Sequence, residues 1–178
     1  MVQDFLEDGN LMPGIHEYTC KEFEEQFVQN FPHSESRPDI YEKFCIWIRK
    51  LVKMLPPRYI WLDGSFLTTK LNPNDIDLVV FYRPEDIESK EVSEVLDNYI
   101  HQISRQYRCD AYFCLTLEHY PPEVKAGISG NVAIMQTYWM GQFGFDRNRK
   151  PKGIVEIRRE ELMKLGGVTH DVASRLDG

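Results

Sequence analysis

Leu62-Asp63-Gly64-Ser65-Phe66-Leu67-Thr68-Thr69-Lys70-Leu71-Asn72-Pro73-Asn74-Asp75-Ile76-Asp77-Leu78-Val79-Val80 sets a Gly-Ser pair nine residues ahead of two aspartates that flank an isoleucine. The bulky run Tyr59-Ile60-Trp61-Leu62, within 58–62, predicts a short strand that runs into Asp63-Gly64-Ser65. Leu71-Asn72-Pro73-Asn74 predicts a turn, and Asp75 to Tyr82 a second strand. Side chains two apart on a strand share a face, so Asp75 and Asp77 project together while Ile76 and Leu78 project oppositely. Two like charges so placed repel, and apolar surroundings aggravate the repulsion. Either cations or Arg/Lys partners must offset it. Mg²⁺ favours carboxylate oxygens together with waters and ligand phosphates. Glycine lets a backbone approach a phosphate closely, and Ser65 offers a hydroxyl and an amide to the same group. Alone, Gly64-Ser65 reads as an ordinary turn and the aspartates as a solvated edge-strand face. Together, at this spacing and ahead of Leu78-Val79-Val80-Phe81, they read as a metal–triphosphate site.

Outward from this stretch, Thr19 and Glu22 have capping-box spacing and predict a helix to about Asn30, with Phe23 and Phe27 on one face. Residues 1–18 read as irregular. A second helix opens at Pro38 or Asp39, carries Ile40, Phe44, Trp47, Ile48, Leu51 and Leu55 as a stripe, and stops at Pro56-Pro57. Downstream, a helix is predicted from about Glu85 to Arg105, a strand from Cys109 to Leu117 and a helix over Val132–Trp139. Gly141–Gly153 reads as a basic loop, Lys152–Arg158 as a strand and Arg159–Leu165 as a helix ended by Gly166-Gly167, with a frayed tail beyond. Alternating strands and helices indicate an α/β or α+β domain.

The chain has 178 residues, which fits one domain, and its 42% apolar content is ample for a core. A net charge of −7 argues against a general DNA-coating protein, which needs a surplus of Lys and Arg. It leaves a nucleotide ligand open, because carboxylates that hold divalent cations are neutralised once the metal binds. No stretch approaches the ~20 apolar residues of a membrane span, and the acidic start lacks a signal-peptide core, so no membrane partner and a cytoplasmic location are expected. Cys20, Cys45, Cys109 and Cys114 show no CxxC spacing and read as reduced, mostly buried thiols.

Gly-Ser, nine residues, then Asp-x-Asp between hydrophobic residues resembles the signature of the DNA polymerase beta-like nucleotidyltransferase superfamily. The resemblance implies a nucleotidyltransferase fold, a mixed β-sheet with helices on one side, with residues 1–57 as an N-terminal helical segment, 58–165 as catalytic core and 166–178 as tail. It implies two Mg²⁺ ions and a nucleoside triphosphate donor such as ATP. Asp75 and Asp77 match the metal-binding pair, and Gly64 and Ser65 the triphosphate-holding turn. Asp110 is the best match to a third catalytic acid on a later strand, with Glu118 a weaker one. The implied reaction is in-line attack of an acceptor oxygen on the α-phosphate with release of pyrophosphate. Pro13-Gly14-Ile15-His16, the Arg37 region, Gly141 to Arg147 and Pro151 to Ile157 also resemble a narrower family of small nucleotidyltransferase-like proteins from bacteria and phages. Acceptors consistent with the resemblance are a protein, a tRNA or other RNA end, and a small molecule. Minimal members act in toxin–antitoxin or phage-defence pairs, which adds a toxin or antitoxin partner protein to the expectations.

Arg147 and Lys152, in the basic loop with Arg149, are candidates to close over phosphates, and Lys70 to reach one. The same loop also reads as a solvated hairpin, and Lys70 as an ordinary surface lysine. The five histidines are scattered without metal-ligand spacing, and Trp47, Trp61 and Trp139 read as core residues. Two other readings stand beside the enzyme. One is a non-catalytic nucleotide-binding or antitoxin module of the same fold. The other is an unrelated acidic domain whose aspartates pair with Arg58 or Arg83.

Overall fold

A computed structural model describes residues 2–128 and 130–167. It shows a mixed α/β fold: a five-stranded mixed sheet and, among the described residues, six α-helices. The strands are β1 (Gly14–Glu17), β2 (Tyr59–Asp63), β3 (Ile76–Tyr82), β4 (Cys109–Leu115) and β5 (Gly153–Arg158), and they lie in the order β1-β5-β2-β3-β4. β5–β2 and β2–β3 pair antiparallel, and β1–β5 and β3–β4 parallel.

Alternation along the strands gives the sheet two apolar faces. Ile60, Leu62, Leu78, Val80, Ala111 and Val155 join one core with the helices; Tyr59, Trp61, Val79, Phe81, Cys114 and Ile154 join another. On the first face lies α2 (Arg37–Met54), whose Ile40, Phe44, Trp47, Ile48 and Leu51 are fully buried. α1 (Cys20–Glu24), α3 (Lys90–His101) and α6 (Arg159–Gly166) contribute Phe23, Leu96, Ile100 and Leu162 to the same core. The short α4 (Pro122–Lys125) precedes α5 (Gly130–Phe143), which places Trp139 and Phe143 against the second face. Helices therefore cover both faces, against the one-sided arrangement expected from the resemblance.

Several boundaries differ from the sequence pattern for identifiable reasons. Residues 14–17 form an edge strand in a segment that read as irregular. Three of its four residues are exposed, so no alternation marks it, and its parallel partner lies far along the chain. The capping box at Thr19 is present, but α1 gives way to a π-helical turn over Glu25–Gln29. The helix expected over Glu85–Arg105 is three pieces. Asp86 is held by Arg58 at 2.6 and 2.9 Å, which fixes a 3₁₀ turn at Pro84–Asp86. Ser89 then caps α3 through the Val92 amide, and a second 3₁₀ turn follows at Ile103–Tyr107. α5 runs through Phe143, so the loop that read as Gly141–Gly153 is confined to 144–152. The part of the tail expected beyond residue 167 lies outside the described residues. Among the described residues, no helix is long and apolar enough to cross a membrane.

Candidate active site

Three aspartates reach one end of the sheet by the register of its strands. Asp63 closes β2 opposite Asp77 of β3, and Asp77 stands beside Asp110 of β4. Partners in register share a face, so the three carboxylates form a row on the face that α5 covers in part. Asp75 sits one residue ahead of β3 rather than within it. With Asp110 it lines a hollow of about 260 Å³.

Gly64 makes the row possible. Its φ is +83°, and a Cβ there would lie 1.9 Å from Asp77 Oδ2, so any larger residue meets both backbone strain and the carboxylate. Ser65 then opens the 3₁₀ turn Ser65–Leu67, which Thr68 braces by donating its hydroxyl to the Ser65 carbonyl at 2.8 Å.

The loop from this turn to Asp75 is held from below by Arg37. Its fully buried guanidinium donates to the carbonyls of Phe27, Phe66, Thr68 and Lys70 at 2.7–2.8 Å, and it lies 3.8 Å over the Phe31 ring. Burial lowers its pKa to about 10. A planar fork with several donors suits four converging carbonyls in a way that a lysine does not.

Electrostatics are lopsided. Lys152 Nζ lies 2.6 and 2.7 Å from the two oxygens of the buried Asp63, whose carboxyl is nevertheless pushed up by burial. Tyr112 donates its hydroxyl to Asp110 Oδ2 at 3.0 Å. Among the described residues no hydrogen bond or ion pair reaches the Asp77 side chain. Burial first, then the charges of Asp75, Asp63 and Asp110, push its pKa up to about 6, against the opposing pull of Lys152. Four carboxylates share one ammonium. Arg58, one of the alternative partners, is bound to Asp86, and among the described residues no ion pair joins Arg83 to Asp75 or Asp77.

The other expected residues are dispersed. Lys70 lends its carbonyl to Arg37 while its side chain is exposed, and Arg147 is exposed in the turn between Phe145 and Pro151. Lys152, expected to meet phosphates, is on Asp63 instead. Glu118 pairs with Arg158 at 3.1 and 3.2 Å beyond the far end of β4, which leaves Asp110 as the third acid of the row. A larger hollow of about 590 Å³ opens at that far end, lined by Arg58, Arg83, Glu118 and Arg158 among others, and is remote from the aspartates along the strands. The four cysteines are free, and burial raises the pKa of each thiol. Trp139 packs on Tyr112 and Phe143 as a core residue.

Sequence reasoning gave no site role to Asp63, Arg105 or Arg108, and named Arg37 only as part of a region of resemblance. Asp63 carried one usable signal, a charge ending a wholly apolar run and immediately preceding Gly64-Ser65. The donor set is all oxygen, which fits a hard divalent cation such as Mg²⁺ and not a thiolate-seeking metal. Among the described residues no group of three or more His, Cys, Asp or Glu stands as a formed cation cage.

The fold and site thus define a mixed α/β protein with a row of under-neutralised aspartates at one sheet end. The chain belongs to DUF6932, a family of unknown function, whose model matches residues 3–158. No curated protein and no solved structure matches it.

Proposed function

We propose that this chain is a nucleotidyltransferase of the DNA polymerase beta-like type, moving a nucleoside monophosphate from a nucleoside triphosphate to an acceptor oxygen. The observation that carries this reading is Asp77, partly buried, without an ion pair among the described residues, pressed against Gly64 and in register with Asp110. Asp75, Asp77 and Asp110 would hold Mg²⁺, which when bound neutralises phosphate charge and lowers the pKa of an acceptor hydroxyl. The Gly64-Ser65 turn receives the triphosphate, and the missing Cβ of Gly64 lets the Asp77 carboxylate stand against that turn. Lys152, tied to Asp63, keeps one positive charge beside the row. The acceptor oxygen forms its bond to the α-phosphorus, the bond to the bridging oxygen breaks, and pyrophosphate leaves. The acceptor proton passes to Asp110, which the Tyr112 hydroxyl orients. Such chemistry depends mainly on positioning and charge neutralisation, so few side chains suffice.

The test is pyrophosphate release from each nucleoside triphosphate with Mg²⁺, comparing the wild type with Asp77→Asn. Loss of release in the variant is expected; unchanged turnover refutes the assignment. The second reading is a nucleotide-binding module of the same fold without transfer. Calorimetry showing Mg²⁺-dependent nucleotide binding with no pyrophosphate release selects it. An acceptor on a toxin or antitoxin partner, a tRNA or a small molecule is compatible with the chemistry.

A further inference from the structure

The row of aspartates has two ends, and they differ. At the β2 end stand Gly64, Ser65 and the Asp63–Lys152 pair. At the β4 end, the outer edge of the sheet, Asp75 and Asp110 line the hollow of about 260 Å³ together with Arg105, Arg108 and Cys109. If the donor's phosphates take the glycine end, the acceptor must enter from the arginine end.

Both arginines are exposed, and both belong to the connection that feeds β4. Arg105 lies on the 3₁₀ turn Ile103–Tyr107, and its side chain has no hydrogen bond or ion pair among the described residues. It is also within electrostatic reach of Tyr112, the residue bonded to Asp110. Arg108 holds a left-handed backbone at φ 53°, unusual for a side chain of this size, while its carbonyl accepts the Ile76 amide at 3.0 Å. That bond ties the strained residue to the start of β3, one residue from Asp75. The Arg108 guanidinium lies 3.5 Å from Asp39, a longer contact than the 2.9 Å at which Asp39 meets Lys43. Two exposed guanidinium groups at the mouth of an acidic site, in a chain of net charge −7, are a local exception to the acidic balance.

We propose that Arg105 and Arg108 seat a phosphate group of the acceptor, so that the acceptor of this site is a phosphate-bearing hydroxyl compound. Resting on the nucleotidyltransferase reading, this adds the acceptor's chemical class. Guanidinium groups bind phosphate through paired, charge-assisted hydrogen bonds, whereas the hydroxyl of an ordinary protein side chain brings no group for them to hold. The neighbouring carboxylates remain near the hydroxyl that reacts.

The test measures binding, not turnover. A fluorescein-labelled twelve-nucleotide single-stranded RNA is titrated by anisotropy, and ribose 5-phosphate by calorimetry, against wild type, Arg105→Gln, Arg105→Gln/Arg108→Asn and the surface control Lys90→Gln. Asn is chosen at 108 because it tolerates the left-handed backbone. Expected is binding of at least one probe by wild type and control, weakened about tenfold or more in the double variant, with part of the loss already present in the exposed single variant. If RNA is the bound probe, its log-affinity against log-salt slope falls by about 0.7 per arginine removed. RNA as the affected probe identifies a nucleic-acid end, and ribose 5-phosphate alone a small molecule. Failure of both probes, or equal affinity in all four proteins, overturns the proposal. Binding of ATP with Mg²⁺ is measured in parallel. Its absence in wild type strikes the nucleotidyltransferase reading itself. Its loss in the arginine variants, with probe binding kept, shows that they serve the donor and overturns this proposal alone.

Discussion

Replacing Asp77 with Asn should stabilise the metal-free protein at neutral pH while removing its response to divalent cations. Burial and three neighbouring carboxylates raise the Asp77 pKa from 3.8 to about 6. A folded-state value above the unfolded one means that ionisation is disfavoured in the fold. The stabilising contribution is complete below about pH 3.8 and is lost as pH rises through about 6. At pH 7.5 the fold carries the whole penalty, about 3 kcal/mol at 1.36 kcal/mol per pH unit. The side chain keeps some contact with solvent, which screens part of this, so about 1–2 kcal/mol is the working figure. The amide of Asn has nearly the same shape and no charge, and Asp77 has no described hydrogen bond for it to break. At about 2–4 °C per kcal/mol for a chain of this size, the variant should melt about 2–8 °C above wild type in EDTA at pH 7.5. At pH 4.5 the linkage relation leaves about a third of that gain. Millimolar Mg²⁺ or Mn²⁺ should raise the wild-type midpoint at pH 7.5 and leave the variant unmoved. Differential scanning fluorimetry at the two pH values, with and without metal, measures all four quantities. An equal or lower midpoint for the variant at pH 7.5 in EDTA, or the same gain at both pH values, refutes the claim that Asp77 sits in uncompensated negative potential.

Three further outcomes follow from the same geometry. Gly64→Ala should cost about 2–4 kcal/mol in urea unfolding, because it adds positive-φ strain to a Cβ driven into the Asp77 carboxylate; a change below about 0.5 kcal/mol would show that the turn relaxes freely. Lys152→Met leaves Asp63 buried without its partner and should cost about 3–5 kcal/mol at pH 7.5, with recovery as the pH falls and Asp63 takes up a proton; a loss independent of pH would assign the lysine a packing role instead. Arg37→Lys should destabilise by about 2–4 kcal/mol despite keeping the charge, because one ammonium cannot reach four carbonyls, and protease cleavage between residues 66 and 74 should accelerate; a variant as stable as wild type would show that the loop needs no clamp.

Local patterns settled much of the fold. The helical stripe from Ile40 to Leu51, the capping box at Thr19, and the apolar runs of β2 and β3 are short-range features, visible wherever the sequence period matches that of the element. The Gly64-Ser65 to Asp75-Ile76-Asp77 spacing belongs to this class, since alternation alone keeps Asp77 off the face that holds Ile76 and Leu78. Asp110 was reached by analogy rather than by pattern, and the register of β3 with β4 is what brings it beside Asp77.

The remainder depended on partners distant in sequence. Exposed β1 is a strand because β5, 139 residues later by its first register pair, offers it an edge. Lys152 is the counter-ion of Asp63 across 89 residues, a pairing that neither local charge pattern contains. Arg37 read as the residue just ahead of a helix opening at Pro38 or Asp39, and it anchors a loop some 30 residues downstream because four carbonyls converge on it in space. Arg105 read as the end of a long helix, and Arg108 as part of the short link to the next strand, until turns at 84–86 and 103–107 broke the helix and set both at the mouth of the acidic row. Periodicity fixes which face a residue takes on its own element; strand order, register and burial fix which charges meet, and those follow from packing the whole chain.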